Sequence, residues 1–163
     1  MRYTTLDTIA VAIVAIVAGV QYLRGKDNLS QIVYESAGFC AAAFGANKLY
    51  LLAHQLTKFS FGVSFLLCFL VLAALAVFLS ALLNGWVPFD FGAFNYLLAF
   101  FFAVIAAYAF GHGAMRTFEY GFVMRSPELM EAMTRSWVAR ELLYFRTAKE
   151  ILVFLRFVRW KDM

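Results

Sequence analysis

The sequence predicts an all-α integral membrane protein: a four-helix up-down bundle followed by a C-terminal amphipathic helix in the membrane interface. Hydrophobic residues make up 64% of the 163 residues and charged residues 15%, whereas soluble domains are about 45–50% apolar and about 25% charged. The apolar residues also form four long runs separated by short polar turns. This pattern argues against a soluble enzyme or a disordered chain, and it divides the chain into a transmembrane bundle, residues 1–116, and an interfacial tail, residues 117–163.

The first apolar run extends from Thr8 to Leu23 and is bounded by Asp7 and Arg24. Counted from Thr4, it reaches the roughly 20 residues that a membrane-spanning helix needs. A cleaved signal peptide is the alternative, but Asp7 interrupts the basic region with which such a peptide begins. We therefore expect a retained first helix.

The second run, from Gln31 to Leu56, contains Glu35 near its start and Lys48 near its end. Both side chains can extend toward the membrane interfaces. Small residues recur four positions apart, a pattern that lets helix backbones approach closely in lipid. We expect this helix to be internal and screened from lipid, with the packing residues Ala37, Gly38, Ala41, Ala42, Gly45 and Ala46.

The third and fourth runs contain no charged residue and extend from Phe59 to Leu83 and from Phe91 to Met115. Pro88 lies in the break between them. Four apolar runs joined by short loops favour an up-down topology. The basic residues nearest the membrane favour an orientation with both termini in the cytoplasm.

The tail begins with a helix-start signal, because Ser126 can cap a helix whose first turn contains Pro127 and Glu128. We expect a helix that continues to about Trp160, with a kink or break near residues 140–144. Its apolar and charged residues fall on opposite faces, as in helices that lie flat on a membrane. The basic excess of the tail favours anionic lipid headgroups, and not nucleic acid, as its partner. The predicted interfacial residues are Trp137, Tyr144, Ile151 and Leu155 on the apolar face and Arg135, Arg146 and Lys149 at the headgroups.

Side chains that bind metals or carry out catalysis are few. The two histidines and two cysteines form no cluster with metal-ligand spacing, and no nucleotide-binding or nucleophile motif is present. We therefore predict no catalytic residue, no cofactor and no metal, and thus a protein that is not an enzyme. His54 and His112 end two parallel predicted helices, which leaves a haem-type pair as an alternative. Glu35 is either a proton-relay group or an interfacial carboxylate favoured by the helix N-terminus.

Several residues recur at positions that a known membrane-protein family also uses. They are Leu6-Asp7 at the start of the first helix, Arg24-Gly25 at its end, Glu35 and Gly38 in the second helix, Asp90 and Gly92 before the fourth, and a Ser-led amphipathic segment at residues 126–144. Over roughly residues 3–144 this pattern resembles the colicin V production (CvpA) family, although the middle of the fourth helix, FFFAVIAAYA, departs from it. The resemblance implies a four-span protein of the bacterial inner membrane linked to toxin export or envelope homeostasis, with no catalytic residue.

The function we expect is that of a non-enzymatic inner-membrane scaffold that contacts membrane lipids and other membrane subunits or itself. An accessory structural subunit of a large respiratory, photosynthetic or motor complex is one alternative. The many aromatic side chains expected on the helix surfaces favour it. A small transporter or channel is another, with Glu35, Lys48 or Asn95 in a polar path.

Overall fold

The computed structural model describes residues 5–144, excepting the side chain of Arg125. Within that range the chain is helical and contains no strand, so the predicted all-α class is confirmed. The helices are α1 (Thr5–Gly25), α2 (Leu29–Thr57), α3 (Phe61–Trp86), α4 (Asn95–Gly121), α5 (Pro127–Arg135) and α6 (Trp137–Tyr144), with short 3-10 turns at Gly92–Phe94 and Val123–Arg125.

The turn between α2 and α3 illustrates how local chemistry sets the helix ends. Lys58 adopts the left-handed conformation, with φ 57° and ψ 16°, and its N–H donates to the carbonyl of His54. That conformation ends a helix because the chain can no longer follow the right-handed path. Ser60 then begins α3, since its side-chain oxygen accepts a hydrogen bond from the Val63 N–H at 3.4 Å.

Three helical segments are long and apolar enough to cross a membrane: Thr5–Gly25, Phe61–Trp86 and Gly92–Gly121. Less than a third of each segment is buried inside the chain, and their exposed side chains are mostly large and apolar. Such surfaces are stable in lipid, so the chain is an integral membrane protein. Helix α2 is not among the three, because Glu35 and the Asn47-Lys48 pair lower its apolar character. That α2 also crosses the bilayer stays a prediction.

Helix α2 packs on both α3 and α4, while α1 packs chiefly on α4. A Cβ placed on Gly38 would lie 2.6 Å from the Ala76 Cβ, and a Cβ on Gly45 would lie 2.9 Å from Leu72. Residue numbers therefore rise along α2 as they fall along α3, which makes the two helices antiparallel. Glycine at these two positions permits the close approach of α2 and α3.

The six predicted packing residues of α2 divide into two sets. Those that are buried or face neighbouring helices are Gly38, Ala42, Gly45 and Ala46, and those that are exposed are Ala37 and Ala41. The exposed pair borders a groove of about 420 Å³ between α2 and α3. The expectation that α2 is screened from lipid is therefore wrong for this face, where Phe44 is also 62% exposed. The reason is that α3 and α4 cover only one side of α2.

The described part of the tail is not one continuous helix, and the predicted position of its break is wrong. Helix α5 ends at Arg135, Ser136 has the extended conformation with ψ 118°, and α6 begins at Trp137. The break lies at Ser136, ahead of the predicted kink or break at residues 140–144, because the Ser136 hydroxyl accepts a hydrogen bond from the Ala139 N–H and so caps a new helix. The predicted interfacial residues Arg146, Lys149, Ile151 and Leu155 lie outside the described residues.

The two faces of α2 give a direct test of its packing. We expect Ala46→Leu to destabilise the protein by about 1–3 kcal/mol, because Ala46 is buried in a close-packed core away from the groove, where extra volume causes strain. Ala41→Leu should change stability little, because its side chain enters the open groove. Thermal unfolding of both variants in one detergent measures the difference, and equal losses would show that the groove is not open.

Candidate functional site

Helix α6 rests on α1 and α4 through polar side chains that are buried inside the protein. Asp7, near the start of α1, is only 3% exposed. One of its carboxylate oxygens accepts hydrogen bonds from the Ser136 hydroxyl at 2.6 Å and from the Val138 N–H at 3.0 Å. The negative charge thus lies at the first turn of α6, where the helix N-terminus favours it. Asp7 therefore connects the beginning of the described chain to its last helix.

His112, on α4, is the buried centre of the same contact surface. Its Nδ1 lies 2.8 Å from the carbonyl oxygen of Leu142 in α6, and its Nε2 lies 2.8 Å from the Asn47 side-chain nitrogen in α2. A carbonyl only accepts, so Nδ1 carries the proton and Nε2 accepts from the Asn47 amide. The same Asn47 nitrogen also donates to the Ala43 carbonyl at 2.9 Å, which orients it. One neutral imidazole therefore joins three helices.

The two glycines beside His112 permit this arrangement. A Cβ on Gly111 would lie 3.0 Å from both Leu142 in α6 and Val14 in α1, and a Cβ on Gly113 would lie 2.7 Å from the Phe69 ring in α3. Side chains at these positions would push the neighbouring helices away from α4. The Gly-His-Gly sequence is thus a close-packing site around one polar side chain.

Two further side chains of α4 contact the residues of α6 on either side of Leu142. The Tyr108 hydroxyl lies 2.6 Å from a carboxylate oxygen of Glu141 and 2.9 Å from the Glu141 carbonyl oxygen. The Arg116 guanidinium lies 3.5 Å from the Leu143 carbonyl and pairs with Glu119 at 2.6 Å. Because Tyr108, His112 and Arg116 are spaced four apart, they form one face of α4, and that face holds residues 141–143 of α6.

A second polar cluster joins α1 to α2 where α1 ends. The guanidinium of Arg24 forms two hydrogen bonds with the Glu35 carboxylate, at 2.8 and 3.1 Å, and Gln31 donates a third at 2.8 Å. Glu35 is 1% exposed, whereas the Arg24 side chain is 47% exposed. A buried carboxylate is stable when it is paired and hydrogen-bonded in this way. Glu35 therefore fixes the turn between the two helices.

The two histidines considered as a haem-type pair each contact other groups of the protein. The His54 Nδ1 is in contact with the Phe59 carbonyl, and its ring lies against Phe61 with centroids 4.1 Å apart. Both ring nitrogens of His112 are engaged in hydrogen bonds, so coordination of a haem iron would require breaking one of them. Within residues 5–144, no three His, Cys, Asp or Glu side chains are grouped as metal ligands.

The described members of the predicted interfacial set remain on the surface. Trp137 and Tyr144 are 53% and 50% exposed. Arg135 is exposed and forms a salt bridge with Glu131. Arg135 lies on α5, and the two aromatic side chains lie on α6, which the polar contacts to α1 and α4 hold in place.

No family model, no curated protein and no solved structure matches this chain.

Sequence reasoning did not identify Asp7, His112 and Ser136 as partners across one interface. The sequence did contain a signal, since polar side chains beside membrane spans are costly in lipid unless they are paired. It could not show which groups pair, because Asp7 and Ser136 are 129 positions apart.

Proposed function

We propose that the protein is a non-enzymatic membrane scaffold in which α1–α4 all cross the bilayer and α5–α6 form a platform at one membrane face. The observation that supports this proposal is the attachment of α6 by Asp7 at its first turn and by the α4 face of Tyr108, His112 and Arg116 further along. Such attachment gives an amphipathic segment a defined position, and a scaffold needs a defined position to hold a partner.

The bacterial inner membrane and a role in toxin export or envelope homeostasis are part of this proposal, and they come from the resemblance to the CvpA family. The polar groups of the helices support a structural role. Asp7, Glu35 and His112 each make several hydrogen bonds that connect different helices. These hydrogen bonds hold the helices together, and a scaffold requires such a fixed arrangement of helices.

An accessory subunit of a larger membrane complex is the second candidate, and the groove between α2 and α3 favours it. Small residues at Ala37, Ala41 and Gly45 line the groove beside exposed leucines of α3. A helix of another subunit could approach this face closely. A small transporter or channel is less well supported. Glu35 forms hydrogen bonds with Arg24 and Gln31 instead of lining an open polar path through the helices.

Topology is tested by single cysteines at Lys26 and Lys58, introduced after the native cysteines are replaced by serine. If α2 crosses the bilayer, Lys26→Cys and Lys58→Cys should react with a membrane-impermeant maleimide from opposite sides, with position 58 on the cytoplasmic side. Labelling of both positions from the same side would exclude the four-span arrangement. Labelling of position 26 from the cytoplasm would reverse the orientation.

The role of α5–α6 in holding a partner protein is tested by purifying the native protein and identifying stoichiometric partners by mass spectrometry. We expect Trp137→Ala to reduce recovery of the partner severalfold, because Trp137 is an exposed aromatic side chain on α6. Trp86→Ala is the matched control, since Trp86 is 79% exposed at the end of α3. Equal recovery from both variants, or purification of wild type without a stoichiometric partner, would contradict the platform role.

A further inference from the structure

A cavity of about 290 Å³ lies where the end of α4, the turn after it, α5 and α6 meet. Its floor is apolar and consists of the buried side chains of Val123, Met133 and Leu143. Its rim carries exposed Met124 and Met130 together with the exposed Arg140. The volume is near the lower end of the range for small-molecule sites, so the cavity fits part of an elongated apolar molecule.

The rim of the cavity has an unneutralised positive charge. Arg24, Arg116 and Arg135 each form a salt bridge with a carboxylate. Arg140 donates from Nε to the Ser136 carbonyl at 3.3 Å, and it forms no salt bridge with a carboxylate of the described residues. Glu119 also lines the cavity, but Arg116 neutralises it at 2.6 Å. The group best placed to bind an anion here is therefore the Arg140 guanidinium.

The cavity lies at the end of a membrane span. The apolar segment that contains α4 ends at Gly121, and the next residues, Phe122 and Met124, are 60% and 62% exposed. A membrane-spanning segment ends at the level of the lipid headgroups, so the exposed side chains that follow Gly121 belong to that level. In the proposed orientation this level belongs to the cytoplasmic leaflet, where anionic lipids supply a negative surface.

We propose that this cavity binds an anionic phospholipid, with the phosphate on Arg140 and the first part of an acyl chain between the methionines. Flexible methionine side chains adapt to an irregular apolar chain, and a guanidinium can form two parallel hydrogen bonds with a phosphate. The inference rests on the proposed topology, which places the end of α4 in a headgroup layer. It assigns lipid recognition to Arg140, which lies on α6 close to the contacts with α4.

The test is native mass spectrometry of the full chain in detergent, titrated with phosphatidylglycerol or with phosphatidylcholine of the same acyl chains. We expect wild type to retain phosphatidylglycerol about fivefold better, because phosphatidylglycerol keeps a net negative charge beside Arg140 whereas the choline cation neutralises phosphatidylcholine, and an Arg near an anionic headgroup contributes about 1 kcal/mol. Arg140→Gln should lose this preference. Arg135→Gln should keep it, because Arg135 already pairs with Glu131 and does not line the cavity.

A second variant tests the apolar part of the site. Met130→Trp adds bulk at the exposed rim, and it should weaken retention of phosphatidylglycerol without lowering the melting temperature. The proposal is overturned if Arg140→Gln keeps the preference, if Arg135→Gln loses as much, or if wild type does not distinguish the two lipids. Such results together with opposite-side labelling of positions 26 and 58 would reject the lipid site while leaving the four-span proposal intact.

Discussion

The hydrogen bonds that Asp7 accepts from Ser136 and Val138, at the start of α6, determine where the C-terminal part of the described chain lies. Asp7 is buried, and its carboxylate accepts from both a side chain and a backbone N–H of residues that follow α5. Removing one partner of a buried charged group leaves the other without a hydrogen bond, at a cost well above that of a surface contact. The break at Ser136, the position of α6 and the cavity beside Arg140 all depend on this attachment.

The apolar surroundings explain why so few polar groups have such a large effect. Inside lipid, helices gain little from hydrophobic burial against one another, so close packing and hydrogen bonds between helices decide how they associate. Small residues such as Gly38 and Gly113 allow the close packing. Buried polar groups such as His112 and Glu35 form the hydrogen bonds between helices. The Gly-His-Gly sequence of α4 combines the two.

Composition and apolar periodicity predicted the all-α class and the membrane character, because both depend on local patterns along the chain. The same patterns could not predict the division of the small residues of α2 into a buried and an exposed set, since that depends on which side α3 and α4 cover. The long tail helix was predicted because residues 127–144 contain no internal glycine or proline after Pro127. Ser136 ends α5 where its hydroxyl donates to Asp7 and accepts from the Ala139 N–H, and Asp7 is too far along the chain to give a local signal.

Amide hydrogen exchange of residues 136–144, in wild type and in Asp7→Ala, tests the attachment of α6 most directly. The full chain in detergent micelles is compared, with peptides from α3 as the internal reference. We expect slow exchange of these amides in wild type, and exchange roughly 10- to 100-fold faster in Asp7→Ala, as the loss of hydrogen bonds to a charged group implies, with α3 unchanged. Rapid exchange of the Val138 and Ala139 amides in wild type, or equal protection in the two proteins, would contradict the attachment of α6 through Asp7.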